Sequence, residues 1–199
     1  MARDRDVAAF GERAQHYDQG WLGQLHHHIA DRTADLALTC VPAPSRILDV
    51  GCGTGYLLSQ LAARAPQAEA LAGIDAASAM IEAARGRTAD GRLRFAVGTA
   101  EQLPWPAATF DLVVSTTSFD HWADQRAGLA QCARVLAPGG CLVLADLFSV
   151  LLLPTLLAGR RDRARTRRRA TQLVTAAGLR SPQWHRLYAV IIQAVMAIK

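Results

Sequence analysis

One apolar run, Ser45–Val50, leads directly into Gly51-Cys52-Gly53-Thr54-Gly55, and a helical pattern starts at once behind it. Glycine at alternate positions permits a tight turn and a close backbone approach that a Cβ would block. The helix read over Thr54–Ala65, stopped by Pro66, points its free N–H groups at that turn, which suits a carboxylate or a phosphate. The spacing is G-x-G-x-G. A dinucleotide fingerprint wants a third glycine where Tyr56 stands, and a phosphate-cradling loop wants Gly-Lys-Ser/Thr, which does not occur there.

The pattern downstream keeps alternating. Ala68–Asp75 reads as a strand, Ser78–Arg85 as a helix, and Leu93–Val97 and Phe110–Ser115 as strands. Asp124–Leu136 reads as a helix with Asp124 as its N-cap, and Pro138-Gly139-Gly140 as the turn that ends it. Cys141–Asp146 is a fifth strand. A helix over Arg163–Ala177 stops at Gly178, and two strands near Trp184–Tyr188 and Ile191–Ile198 close the chain. This order predicts one α/β domain with a mainly parallel sheet covered on both faces. Residues 1–199 are expected to form a single domain. Within it, residues 1–40 are expected to form a helical cap (about Asp4–Ala14 and Leu22–Leu38) over an α/β core at 45–199.

Composition narrows the classes. With 51% apolar and 20% charged residues the chain is globular in character, and no apolar run reaches the roughly 18 residues of a membrane span. Met1–Asp6 alternates in charge, unlike a secretory signal, so a cytoplasmic location is expected. Cys40, Cys52, Cys132 and Cys141 form no C-x-x-C pair, so reduced, mostly buried thiols and no metal site are expected. The net charge of +5 is local to Arg160–Arg169, which reads as a solvated helix face rather than a nucleic-acid grip.

Ligands of such a sheet bind beyond the carboxyl ends of the strands. Asp75 ends the second strand, 20 residues past Gly55, where an acid can accept both hydroxyls of a ribose. The third strand ends in Gly98-Thr99-Ala100-Glu101. The segments ILDVGCGTG, GID, AEQLPWPAATFDLVV and RVLAPGG, in that order, resemble class I S-adenosylmethionine (SAM)-dependent methyltransferases, in particular the small-molecule and quinone-type group. The resemblance covers Ser45 to Asp146, about half of the chain.

It implies a Rossmann-like, seven-stranded, mostly parallel sheet with helices on both faces and an antiparallel last strand. It also implies SAM as cofactor. Asp49, Gly51, Gly53 and Gly55 match the loop that holds the amino-acid part of SAM, and Asp75 matches the ribose acid. Ala76 and Met80 match positions beside the adenine, and Thr99, Ala100 and Glu101 match its edge. The family usually has Asp where Thr99 stands; a hydroxyl accepts the adenine amino group more weakly, and Glu101 is the substitute at hand. Ser115 matches the residue closing the fourth strand beside the cofactor, and Tyr17 an N-terminal tyrosine that caps the methionine end.

Methyl transfer from a sulfonium is a displacement that mainly needs alignment, so no universal catalytic residue is implied. A base matters only when the acceptor holds a proton it cannot lose unaided, and His121, just past the fourth strand, is the candidate. His26, His27 and His28 are consecutive on a helix, so at most one of them faces the site and they cannot share a metal. Leu147–Ala158 reads equally as a cover over an apolar acceptor or as a core or oligomer contact. The reading is an enzyme acting on a small-molecule acceptor, as monomer or homodimer. The alternatives are an RNA or protein methyltransferase that grips with the arginine run, and a non-catalytic SAM-fold binding protein.

Overall fold

The computed structural model describes residues 17–148, 166–188 and 192–199. The helix expected at Asp4–Ala14, nearly all of the apolar Leu147–Ala158 stretch and Arg160–Arg165 lie outside these. The described elements run α1 (Gly20–Cys40), β1 (Arg46–Val50), α2 (Tyr56–Arg64), β2 (Ala70–Asp75), α3 (Ser78–Arg87), β3 (Leu93–Val97) and β4 (Phe110–Thr116). They continue with α4 (Gln125–Val135), β5 (Leu136–Leu147), α5 (Arg167–Ala176), β6 (Arg180–Tyr188) and β7 (Ile192–Ile198).

Ile47, Leu48, Asp49 and Val50 are all buried, the mark of a strand covered on both faces, and β1 accordingly sits mid-sheet. The sheet has seven strands in the order β3-β2-β1-β4-β5-β7-β6. β1 pairs in parallel with β2 on one side and β4 on the other, so the strand order reverses at β1. β7 runs antiparallel to both β5 and β6, which gives the antiparallel last strand that the family resemblance implies. Side chains alternate between two cores. Ile47, Leu71, Leu112 and Val143 face α1, α2 and α3, while Leu48, Ala72, Val113 and Leu144 face α4 and α5. Asp111, at the start of β4, accepts from the backbone N–H of Ser45 (2.6 Å) and Arg46 (3.0 Å), which ties the β1 entry to its neighbour.

α1 lies on the sheet with Ile29, Ala30, Ala34 and Ala37 in the core; Ile29 alone, 1% exposed, contributes about 2–3 kcal/mol by burial. Asp124 caps α4 as expected, its carboxylate accepting from the N–H of Arg126 and Ala127. The turn expected at Pro138–Gly140 is instead the start of a strand. α4 ends at Val135, and Gly139 N–H donates to the Lys199 carbonyl while Lys199 N–H donates to that of Gly140. Lys199, 60 residues away, supplies this ladder, and Gly139 meets it with φ +80°.

The cysteine expectation needs correction: Cys40 and Cys141 form a disulfide. The two are 101 residues apart, so no local spacing announces the pair; α1 crosses the sheet face and delivers its last residue to β5, Cα–Cα 6.6 Å. Cys52 and Cys132 are free and buried, and burial pushes both thiols up, that of Cys132 to about 12. Among the described residues no helix is long and apolar enough to cross a membrane.

Candidate cofactor site

The reversal of strand order at β1 opens a crevice above the carboxyl ends of β1, β2, β3 and β4. A cavity of about 800 Å³, counting its open mouth, fills that crevice, a size suited to a nucleoside-bearing ligand. It is lined by Tyr17, Gly51, Gly53, Asp75, Ala76, Met80, Thr99, Ala100, Glu101 and His121, all singled out from the sequence. Three others stand apart. Asp49 lines a smaller adjoining cavity under α1, and Ser115 is fully buried behind the main wall. Gly55 lines neither: with φ +78° its missing Cβ leaves room for the Phe95 ring, 2.9 Å from where that atom would sit.

The loop is built by backbone donors. Gly51 and Cys52 N–H both donate to the Ile74 carbonyl (2.8 and 3.0 Å), which pins the turn to the end of β2. Asp75 Oδ2 accepts from Gly53 N–H and Oδ1 from Ala77 N–H, each at 2.9 Å. Burial pushes the Asp75 carboxyl up, while the N–H groups of Ala77, Gly53 and Ala76 and the nearby His121 pull it down. A carboxylate offers about four acceptor positions, so Asp75, which lines the cavity, can accept a further donor such as a ribose hydroxyl.

Gly51 cannot carry a side chain, because its φ is +76° and a Cβ would lie 2.3 Å from Ser118 Oγ. Ser118 was not singled out in the sequence, yet it is the hub of this wall. Its hydroxyl donates to the Val50 carbonyl (2.9 Å) and so accepts from Ser115 Oγ (2.8 Å) and Trp122 Nε1 (3.2 Å). Ser115 therefore acts through Ser118 rather than facing the cavity. Asp146, at the end of β5, is a second missed residue. It is fully buried, its carboxyl is pushed up by that burial, and it accepts from Asp120 N–H (3.1 Å), holding the turn that carries His121. His121 and Trp122 close the side of the cavity beyond β4, and Glu101 accepts from Asp124 N–H (3.0 Å) at the adenine-matching edge.

The three histidines of α1 part ways. His27 donates to Asp18 (2.8 Å) and stacks on Tyr56; His28 meets Tyr188 edge-on. His26 lines the smaller cavity with Asp49, Gly51, Gly53, Thr54, Thr116 and Thr117, and stacks on Tyr17 with ring centroids 4.9 Å apart. Asp49 is buried, its Oδ1 without a partner, and burial with the neighbouring Asp75 charge pushes its carboxyl up to about 8. Tyr17 packs on Ala77 and Met80, and Asp18 pairs with Arg87 of α3, so these two residues bridge α1 and α3 across the crevice.

Residues 47–140 match the family model described as a methyltransferase domain. The chain is 42% identical to the demethylmenaquinone methyltransferase of Thermus thermophilus, over 69% of its own length and 63% of that protein. It is 32% identical to the 27-O-demethylrifamycin SV methyltransferase of Amycolatopsis mediterranei, over 84% of its own length and 66% of that protein. The chain thus spans about half to two thirds of the length of the curated relatives it matches. Among solved structures, the complex of the Trm112 methyltransferase activator with a methyltransferase of Haloferax volcanii is similar with a TM-score of 0.80 and 22% identity, covering 95% of this chain and 96% of that one. Glycine loop, acid-ended β2, antiparallel β7 and these relatives agree: the chain belongs to the class I SAM-dependent methyltransferase family.

Proposed function

We propose that this chain transfers a methyl group from SAM to a small, largely apolar acceptor by direct displacement. The observation that carries it is Asp75, fixed at the end of β2 by Gly53 and Ala77 N–H and lining the cavity. Asp49 adds a buried carboxyl oxygen with no partner beside the glycine loop, as an ammonium group would require.

When bound, SAM supplies the methyl group and the sulfonium leaving group. The residues around it orient and dry the site. Asp75 fixes the ribose, and Met80, Ala77 and Tyr17 form an apolar wall for the nucleoside. Thr99 and Glu101 offer acceptors at the adenine edge. Trp122, held by Ser118, keeps water from the side beyond β4, where an acceptor enters opposite the loop. His121 sits at that side and is the group placed to take a proton from a hydroxyl acceptor. The alignment of acceptor, methyl and sulfur supplies most of the rate.

An apolar acceptor is supported by Trp122, Ala123 and Val50 on the cavity wall and by relatives whose names refer to a menaquinone precursor and a rifamycin. Of the arginine run, Arg167 is engaged within the fold: it bonds to Gln193 and lies over the Trp184 ring, 5.4 Å from its centroid. The test is calorimetry with SAM and S-adenosylhomocysteine. Asp75→Ala should weaken both by about a hundredfold, as expected for two hydrogen bonds to a charged acceptor. A wild-type protein that ignores both ligands would sink the proposal.

A further inference from the structure

Charge is divided unevenly along this chain. Residues 163–199 hold eight of its 22 basic residues and none of its 17 acids, so the remainder is net acidic. The fold gathers this basic part around the edge strand β6. α5 packs on one face of that strand, where Trp184 Nε1 donates to Thr171 Oγ1 (3.0 Å). α1 flanks the other face, where Arg32 donates to the Leu187 carbonyl and His28 meets Tyr188. Arg168, Arg169 and Arg186 are exposed and, like Arg32, form no ion pair among the described residues. The two acids of α1, Asp31 and Asp35, both pair with Arg64 of α2, on the side away from β6.

Apolar side chains surface at the same place. Of the five large hydrophobic residues exposed among the described residues, four are Trp21, Leu22, Leu147 and Tyr188. Leu147 and Tyr188 both pair with Ile192, so they share one row across the carboxyl ends of β5 and β6. Trp21, Leu25, His28 and Arg32 recur at helical spacing and share one stripe of α1. That stripe leads from Tyr188 back toward Tyr17 on the cavity wall, and Trp21, the residue nearest that end, is 71% exposed. Aromatic rings and aliphatic side chains set among unpaired arginines are the make-up of a surface that lies in a membrane–water interface. Nucleic acid would engage the arginines and the rings but would leave Leu22 and Leu147 in water.

We propose that this side of the molecule, from Trp21 to Tyr188 with Arg168, Arg169 and Arg186, rests on an anionic phospholipid surface. The arginines meet headgroup phosphates, and Trp21, Leu22 and Tyr188 enter the boundary of the acyl chains. The contact is peripheral and needs no cofactor. It turns the carboxyl edge of the sheet, where the cavity opens, toward the layer in which an apolar acceptor dissolves.

Sedimentation with vesicles tests this, using phosphatidylcholine alone and phosphatidylcholine with phosphatidylglycerol at about a third of the lipid. The chain should bind the anionic vesicles at least about tenfold more tightly than the neutral ones, and should lose most of that preference in about 0.5 M salt. Trp21→Ser and Arg186→Ala should each weaken binding to the anionic vesicles about fivefold. Both residues are exposed, so the urea midpoint of each variant should stay in place, which separates a lost lipid contact from a damaged fold. No binding, equal binding to both vesicles, or binding that neither substitution alters would overturn the proposal. So would retention on RNA in place of vesicles, or self-association that Trp21→Ser abolishes while vesicles are ignored. Vesicle binding as expected by a protein that ignores S-adenosylhomocysteine would uphold the lipid contact and sink only the function proposed above.

Discussion

Asp49 should make the protein lose stability as the pH rises, and an asparagine in its place should remove that loss. The carboxyl is completely buried, one oxygen has no partner, and its pKa stands at about 8 against 3.8 for the free side chain. Between those two values the folded state holds a proton that the unfolded chain has released. The folded pKa is the higher one, so the contribution is fully present below about pH 4 and is lost as the pH rises through about 8. Each pH unit in that window costs about 1.4 kcal/mol, and about four units amount to some 6 kcal/mol, comparable with the whole net stability of a small domain. Asp49→Asn keeps the shape of the side chain and cannot ionise. Urea unfolding of both proteins from about pH 5 to about pH 8 gives the difference directly, and the buried Asp146 largely cancels in it. The variant should gain on the wild type by roughly 1.4 kcal/mol per pH unit. Parallel curves across that window would show that Asp49 is already ionised in its pocket, and the reasoning would fail.

The Cys40–Cys141 bridge closes a loop of about a hundred residues, for which chain entropy gives about 4–5 kcal/mol. A reducing agent, or Cys40→Ser, should lower the urea midpoint accordingly, and an unchanged midpoint would count against the bridge. Gly55→Ala meets both a φ of +78° and the Phe95 ring, so it should cost about 2–3 kcal/mol in the same assay, whereas Gly86→Ala, with open space around it, should not. Asp18→Asn removes the charge that Arg87 and His27 hold, and should speed S-adenosylhomocysteine release about two- to fivefold in stopped-flow fluorescence. Unaltered release would deny these contacts any hold on the crevice.

What could be read from the sequence is what local spacing encodes. The alternating glycines after an apolar run required the β1 turn, Asp124 one residue ahead of a helical pattern gave the cap, and Asp75 came from its place at a strand end. What could not be read depends on residues brought together from afar. Ser118 binds Val50 across 68 residues, Asp146 holds the Asp120 backbone across 26, and the bridge spans 101. Pro138–Gly140 is extended for the same reason, because its hydrogen-bond partner is Lys199, about 60 residues on. Among the histidines, sequence could say that at most one of three faced the site, but choosing His26 needed the roll of α1 on the sheet.

That roll has a kinetic consequence. Ile29, Thr33, Ala34 and Ala37 anchor α1 in the main core, and its far end is tied to β5, so α1 is a fixed beam. The bridge over the crevice is made by Tyr17 and Asp18, just ahead of Gly20, which has a φ of +66° and open space around its Cα. Ligand traffic past this side can then proceed by turning a few backbone angles and parting Tyr17 from Ala77 and Met80, with no contact of the main core broken. Core substitutions that lower the free energy of unfolding should therefore leave the residence time of the nucleoside untouched, so that fragility and turnover can drift independently in such a chain.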